Sequence, residues 1–543
     1  MACRCMTIAA VGVLVLLVGA NAGAAQGVVV ELHVGAAVGP PITSGLVGFN
    51  WRVGGEAVTA LRPALVRSFA VRLARISPAP GILDFSASDA ELDAVEATGA
   101  TALAVLIERP PWDPGVGSAG YEQVIEAVFR RYLVERPAGG HRPVWFESGN
   151  EPEFPPTSHG QLPHELAGDV AAQVRALARV EAASGVAATY GGPGALFADP
   201  AIAGAFVAAA RSAGRLPNFV SWHAYPNAPL LGPDGPEDRS SPAAVAVWQA
   251  LHGVNPVASP LVLGAGIDVM RSAVAAGLLP GERPPALLIT EWNISSGGFD
   301  RRNDTPTAGA HTIGSLIEMQ TRGLAGSTFF AAVDRHCSNP DVNPAGATFC
   351  GDWGTASASG TRKPVWHAFA LWQAMTGSTR TVDGADATAG LWALAAADAT
   401  TVRVIAASFS VSQPADRRLR ISVQPSTAAR TVRVRRIDAS HLTGETTVAP
   451  ALAAGASAVD IDLPANAVAL VEVTDTPTRA PAATSPPGAA QNGAAPPGSQ
   501  LPATGPRHPS IGTGLLALTA ALALGALGRR VRRRPGPGGR QPP

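Results

Sequence analysis

Two glutamates stand at the ends of apolar, β-type runs that lie far apart in the chain. Glu151 lies within the stretch Val144–Phe154, after its β-type run and between Asn150 and Pro152, and Glu291 closes the run Leu287–Thr290. Two carboxyl groups brought to one cleft from separate strands can break a glycosidic bond, one protonating the leaving oxygen while the other attacks or activates water. An acid/base carboxyl must hold its proton at working pH and release it during the reaction; Glu151 suits that role, with Asn150 placed to donate to a sugar hydroxyl. A carboxylate after a run as apolar as Leu287–Thr290 is costly to bury unless it is used or paired. Glu291 therefore suits an ionised nucleophile.

Other residues can serve these two. The run Phe219–Pro226 supplies His223, to hold a sugar hydroxyl, and Tyr225, to orient a carboxylate. Arg75 is expected to pair with Glu291 and keep it ionised, with Arg72, three residues before it, a less placeable candidate. Trp51, Trp112 and Trp292 are candidate platforms for sugar faces. Each has a structural alternative: a solvated turn carboxylate, a salt-bridged barrel glutamate, a hydrogen-bonded core histidine, or an aromatic that only packs.

Parallel strands that end at one rim would bring these residues together. Strand patterns occur at Leu46–Trp51, Ala70–Ile76, Ala102–Ile107, Pro143–Ser148, Ala187–Gly191, Phe219–Trp222, Ala286–Thr290 and Ser327–Val333. Helical stretches separate them. His164–Ala183, for example, sets Leu166, Val170, Val174 and Leu177 on one face. The alternation predicts an α/β fold, a (β/α)8 TIM barrel over 43–377 whose active site lies where the strands end. From 378 to 474 short alternating runs (Thr401–Ile405, Leu419–Val423, Thr431–Arg435, Val459–Leu463 and Val468–Val473) predict an antiparallel β-sandwich. The segment 26–42, through Val28–Val34, is a candidate extra strand of that sheet.

The composition excludes several chemistries. Forty-one basic residues balance 41 acidic ones, so no basic patch suggests nucleic acid. Lys363 is the sole lysine, which argues against Schiff-base chemistry. No His-x-His pair, Cys-x-x-Cys cluster or Gly-x-Ser-x-Gly elbow occurs, so neither a metal nor any other cofactor is expected. Cys3 and Cys5 fall in a segment expected to be removed, leaving Cys337 and Cys350 to form a disulfide in an exported protein.

Export is expected from both tails. Residues 1–25 have a secretory signal's order: Arg4, an apolar core over Thr7–Val18, then small residues for cleavage. Residues 475–500 read as a Pro/Ala-rich tether. Beyond it, Leu501–Gly505 reads Leu-Pro-Ala-Thr-Gly, followed by an apolar stretch over 511–528 and an arginine cluster starting at Arg529. Within 501–543 this order resembles a sortase sorting signal, with arginines on the cytoplasmic side. Eighteen residues make a helix of about 27 Å, just enough to span a bilayer core before processing. A sortase would cut between Thr504 and Gly505 and join the protein to the cell envelope. Thr504→Ala should then leave it membrane-bound and detergent-extractable. A parent protein that is itself fully extractable with 505–543 attached would replace this reading with a plain membrane anchor.

The motifs together resemble clan A retaining glycosidases, and glycoside hydrolase family 39 in particular, which includes β-xylosidases and α-L-iduronidases. Phe146, Glu147, Asn150, Glu151 and Pro152 match its Phe-Glu-x-x-Asn-Glu-Pro motif. Thr290, Glu291, Trp292 and Asn293 match its seventh-strand motif; His223 and Tyr225 match the sixth; Gly191, Gly192 and Pro193 match the fifth. Lys363, Pro364, His367 and Ala368 match the segment that opens the last helix. The resemblance implies that Glu151 is the acid/base, Glu291 the nucleophile and an oligo- or polysaccharide the substrate. The eighth strand departs from the pattern: Phe329–Asp334 keeps the family's aspartate and lacks the tryptophan that lies under the sugar. A non-catalytic surface glycan-binding protein or adhesin on the same barrel is the rival reading.

Overall fold

A computed structural model describes residues 28–476, apart from 51–54, 155–158, 160, 226–258, 297–299, 338–347 and 411–413. The signal segment, Trp51, the tether, Thr504, Gly505 and the 511–528 stretch lie outside the described residues. Among those described, no helix is long and apolar enough to cross a membrane.

Eight parallel strands close into a barrel: β2 (Gly48–Asn50), β3 (Leu65–Ser68), β4 (Thr101–Leu106), β5 (Trp145–Ser148), β6 (Tyr190–Ala195), β7 (Phe219–Ala224), β8 (Ala286–Trp292) and β9 (Gly326–Phe329). The expected strand at Ala70–Ile76 is displaced: the second barrel strand is Leu65–Ser68, and Leu73–Ile76 is a helical turn. Leu65–Ser68 is buried throughout, as a strand between barrel neighbours must be, whereas Arg72 and Arg75 interrupt 70–76 at an interval of three. The helix expected over His164–Ala183 runs Leu166–Ser184 and buries Leu166, Val170, Val174 and Leu177.

Leu65, Leu103, Phe219 and Leu288 meet as an apolar floor at the amino end of the barrel, with Trp145 packed beside them. Side chains alternate along a strand, so the residue two positions further on shares the inward face. Above Leu65, Trp145 and Phe219 those residues are Arg67, Glu147 and Ser221, all fully buried. The interior thus changes from apolar to polar towards the carboxyl end.

The second layer is a nine-stranded sheet of β1 (Val28–Pro41), β10 (Ser378–Asp383), β11 (Leu391–Ala397), β12 (Thr401–Ser408), β13 (Arg417–Ser422), β14 (Arg430–Asp438), β15 (His441–Leu452), β16 (Ala458–Leu463) and β17 (Ala467–Asp475). Its order is β15-β14-β17-β12-β11-β10-β1-β13-β16. The sheet is mixed rather than wholly antiparallel, because β1 pairs antiparallel with β10 and parallel with β13. Leu32, Leu419 and Ile461, from one end, share a core with Val404, Val432 and Val471 from the other, so the sheet folds over into two layers. Its opposite face packs Trp392, Ile405 and Leu470 into the barrel's own core, against the helices Pro306–Thr321 and Pro364–Gln373.

His311 sits in that junction, its ring 5.3 Å from Phe409 and both nitrogens buried without a hydrogen-bond partner. Burial, with the charge of Arg302, pushes its imidazole down to about 3. The folded state therefore refuses a proton that the unfolded chain accepts at its ordinary value near 6.5. Stability from this group is complete above that value and falls as pH drops from there towards 3. Between pH 7 and 5 the loss is about 2 kcal/mol. In His311→Phe that share of the acid sensitivity should vanish. Parallel denaturation curves of parent and variant at both pH values would refute it.

Candidate active site

Glu151 and Glu291 converge at the carboxyl end of the barrel. One carboxylate oxygen from each, together with a nitrogen of His223, lie within 4.8 Å of one another. Glu151 follows β5 in a tight reversal, with φ +44° at Glu151 itself and +78° at Gly149. A positive φ is uncommon for a side-chain-bearing residue, and the Glu151 N–H is secured by the Gly194 carbonyl at 2.7 Å. Gly194, at φ +60°, suits glycine: a Cβ there would press to 3.1 Å on the Arg67 guanidinium.

His223, at the end of β7, places Nδ1 2.8 Å from a Glu151 oxygen and 3.7 Å from Glu291. Two residues on and on the same side, the Tyr225 hydroxyl donates to Glu291 at 2.8 Å. The cation that holds Glu291 is Arg67. Its Nη1 donates to Glu291 at 2.6 Å, its Nη2 to the Asn150 side-chain oxygen at 2.8 Å, and its Nε to Glu147. Asn50 accepts a longer bond from Nη1 at 3.3 Å and donates to the Thr290 carbonyl, tying β2 to the strand that carries Glu291.

Burial raises the Glu291 carboxyl above the usual carboxylate range, against the pull of His223 and Arg67, and the neighbouring Glu151 adds to the rise. Burial would lower the His223 imidazole, but the charge of Glu291 and the bond to Glu151 outweigh it and raise it. Tyr225 is raised well above its ordinary value by burial and then by the two glutamates, so its hydroxyl keeps its proton. Glu153, just past the turn, is pushed up to about 7 by burial while accepting from the Leu196 N–H.

Several expected partners lie elsewhere. Arg75 is on the exposed side of the turn Leu73–Ile76 and has no bond to Glu291; Arg67 holds that place because β3 lies earlier in the chain than the alternation suggested. Trp292 is fully buried on the barrel's outer side, edge-on to Phe329 at 5.0 Å and near Phe369 at 6.0 Å. Adjacent residues of a strand point to opposite faces, so a chain that aims Glu291 inward aims Trp292 at the helices. Trp112 is half-buried in the loop after β4, with its indole N–H on Ser77. Asn150, His223 and Tyr225 join the cluster; Arg75, Trp112 and Trp292 do not.

Arg67 and Asn50 escaped the sequence reading, and Glu147 entered only as part of a motif. A signal for Arg67 existed: a single charge inside Ala64–Val66 and Ser68, a run too apolar to leave it unpaired.

The sole lysine is a structural tie. Lys363, fully buried, pairs with Asp334 at 2.7 Å and Asp304 at 2.8 Å and donates to the Asp352 carbonyl at 2.8 Å. Despite Lys363, burial pushes Asp334 up to about 7. Cys337 and Cys350 are disulfide-bonded, their Cα atoms 5.5 Å apart, and close the same loop after β9. Asn293 donates to the Phe330 and Trp353 carbonyls and fastens that loop to β8.

No protein-family model matches the sequence, and no curated protein matches it. Solved structures do. A glucosidase from Croceicoccus marinus superposes with a TM-score of 0.60 at 17% identity, over 83% of this chain and 100% of that one. A monomeric β-xylosidase from Caulobacter crescentus CB15 gives 0.60 at 20%, over 82% and 99%. The GH39 enzyme from Xanthomonas axonopodis pv. citri gives 0.60 at 19%, over 84% and 99%. At such identities the likeness carries the fold: this chain has the barrel-and-sheet architecture of these glycoside hydrolases.

Proposed function

We propose that the protein is a retaining glycoside hydrolase acting by double displacement, with Glu291 as nucleophile and Glu151 as acid/base. The observation that carries this reading is the pair of carboxylates within 4.8 Å at the barrel mouth, with unequal partners. Glu291 receives a guanidinium and a phenol, both of which favour its ionised form. Glu151 meets the His223 imidazole at 2.8 Å. The guanidinium on Glu291 weakens that carboxyl's hold on a proton, so a proton shared by the two is driven towards Glu151. Glu151 can then protonate the leaving oxygen while Glu291 attacks the anomeric carbon, and afterwards take a proton from the incoming water.

A close spacing of the carboxyls suits retention, since inverting enzymes leave a water's width between theirs, at roughly 6.5–9.5 Å. The superposed structures named as a glucosidase and a β-xylosidase support a saccharide substrate. The test is a panel of aryl glycosides and polysaccharides offered to the purified protein, with the first-formed product followed by proton NMR. Release of a sugar with the substrate's anomeric configuration is expected. Inverted product would exclude double displacement. Saccharide binding without turnover across the panel would favour a glycan-binding protein.

A further inference from the structure

A groove of about 610 Å³ opens on the barrel's outer flank, and none of the groups described above at Glu151 and Glu291 lines it. Its floor is one face of the helix Ala119–Arg130. Glu122, Glu126 and Arg130 recur there at intervals of four, so these three line the groove along about 12 Å of helix. Trp112 lies at the helix's amino end, and Ile82 and Leu83 form the facing wall. Ile82 and Leu83 are 51% and 48% exposed and are the only consecutive pair among the exposed large apolar side chains of the described residues.

The indole is fixed in place. Its N–H donates to the Ser77 carbonyl at 3.0 Å, and a Cβ on Gly120 would fall 2.6 Å from a ring atom, so the ring rests on the helix's first turn. With the N–H engaged, what the ring offers a ligand is hydrocarbon. The groove's charges cancel internally: Arg179 pairs with Glu122 at 2.6 Å and Glu126 at 2.7 Å, and Arg130 pairs with Glu126 at 2.8 Å. Such a groove selects against ionic ligands while offering planar donors and acceptors to neighbouring hydroxyls. Its volume is that of a small-ligand site, whereas a protein partner needs on the order of 1,200 Å² of buried surface.

We propose that this groove binds a neutral saccharide chain, with Trp112 packing against a sugar face and the paired carboxylates and guanidinia bonding to its hydroxyls. It would hold a polymeric substrate beside the enzyme and raise its effective concentration at the barrel mouth. The ligand class rests on the glycosidase reading; the groove itself does not.

The two can be tested apart. Binding is read by affinity electrophoresis of the full chain carrying Glu291→Gln, in gels containing xylan, β-glucan, mannan or galactan. Activity is read separately on aryl glycosides with Glu291 intact. Trp112→Ala and Leu83→Asp should each weaken retardation by at least one polymer about tenfold, and Trp112→Phe should stay near the parent. Both alanine and aspartate variants should keep the parent's kcat/KM on aryl glycosides within about twofold. Leu83 is exposed, so its variant reads the groove even where Trp112→Ala misfolds. No retardation of the parent by any polymer, or variants retarded like the parent, would overturn the proposal. So would an equal loss on aryl glycosides, which would place Trp112 in the catalytic cleft. An enzyme inactive on every aryl glycoside but retarded through Trp112 would reject the glycosidase reading and keep the groove.

Discussion

Glu291→Gln is expected to lower kcat on an activated aryl glycoside on the order of 10⁴-fold or more, because no glycosyl-enzyme bond can form without the carboxylate. Glu151→Gln should behave differently. With a good leaving group little protonation is needed, so the first step survives and the glycosyl-enzyme accumulates. With a poor leaving group the loss should reach roughly 10²–10⁴-fold. Alanine variants with added azide sharpen the distinction. At Glu151→Ala azide enters from the vacated base's side and gives a glycosyl azide of the substrate's configuration. At Glu291→Ala it enters from the opposite face and gives the inverted azide. Retention of more than about a tenth of the parent's activity by both glutamine variants would sink the assignment.

Arg67→Met should be the most damaging substitution for the fold near the site. Arg67 and Glu147 are fully buried, and Glu291 is 7% exposed. Removing the cation leaves two interior carboxylates without their guanidinium, a loss of about 3–5 kcal/mol when a buried pair is broken from one side. Adding Glu147→Gln should restore part of that stability, since one orphaned charge disappears. Activity should not return with it. Arg67 lowers the Glu291 carboxyl against the rise caused by burial, so its removal raises that group further. Turnover needs Glu291 ionised, and the acidic limb of kcat/KM should therefore move to higher pH in the double variant. An unshifted limb, with activity recovering alongside stability, would make Arg67 a packing residue and nothing more.

Much of this protein is local. The apolar runs before Glu151 and Glu291, the helical face of Leu166–Leu177 and the alternation of the later strands depend on neighbours a few residues away, and the sequence contains them. His223 and Tyr225 were legible for the same reason, being two apart in one extended run and hence on one face. Alternation also contained the correction for Trp292, since a strand that turns Glu291 inward turns its neighbour outward.

Other features were settled only by packing. Leu391–Ala397 is alanine-rich and buried along most of its length, so it lacks the period that marks a half-exposed strand. Ala70–Ile76 is apolar apart from Arg72 and Arg75 and is not the strand, because barrel closure put Leu65–Ser68 between β2 and β4 instead. Which arginine meets Glu291 follows from that choice. A residue's type determines what it can bond to; its partner across 224 residues of chain depends on strand order and register, which only the closed barrel supplies.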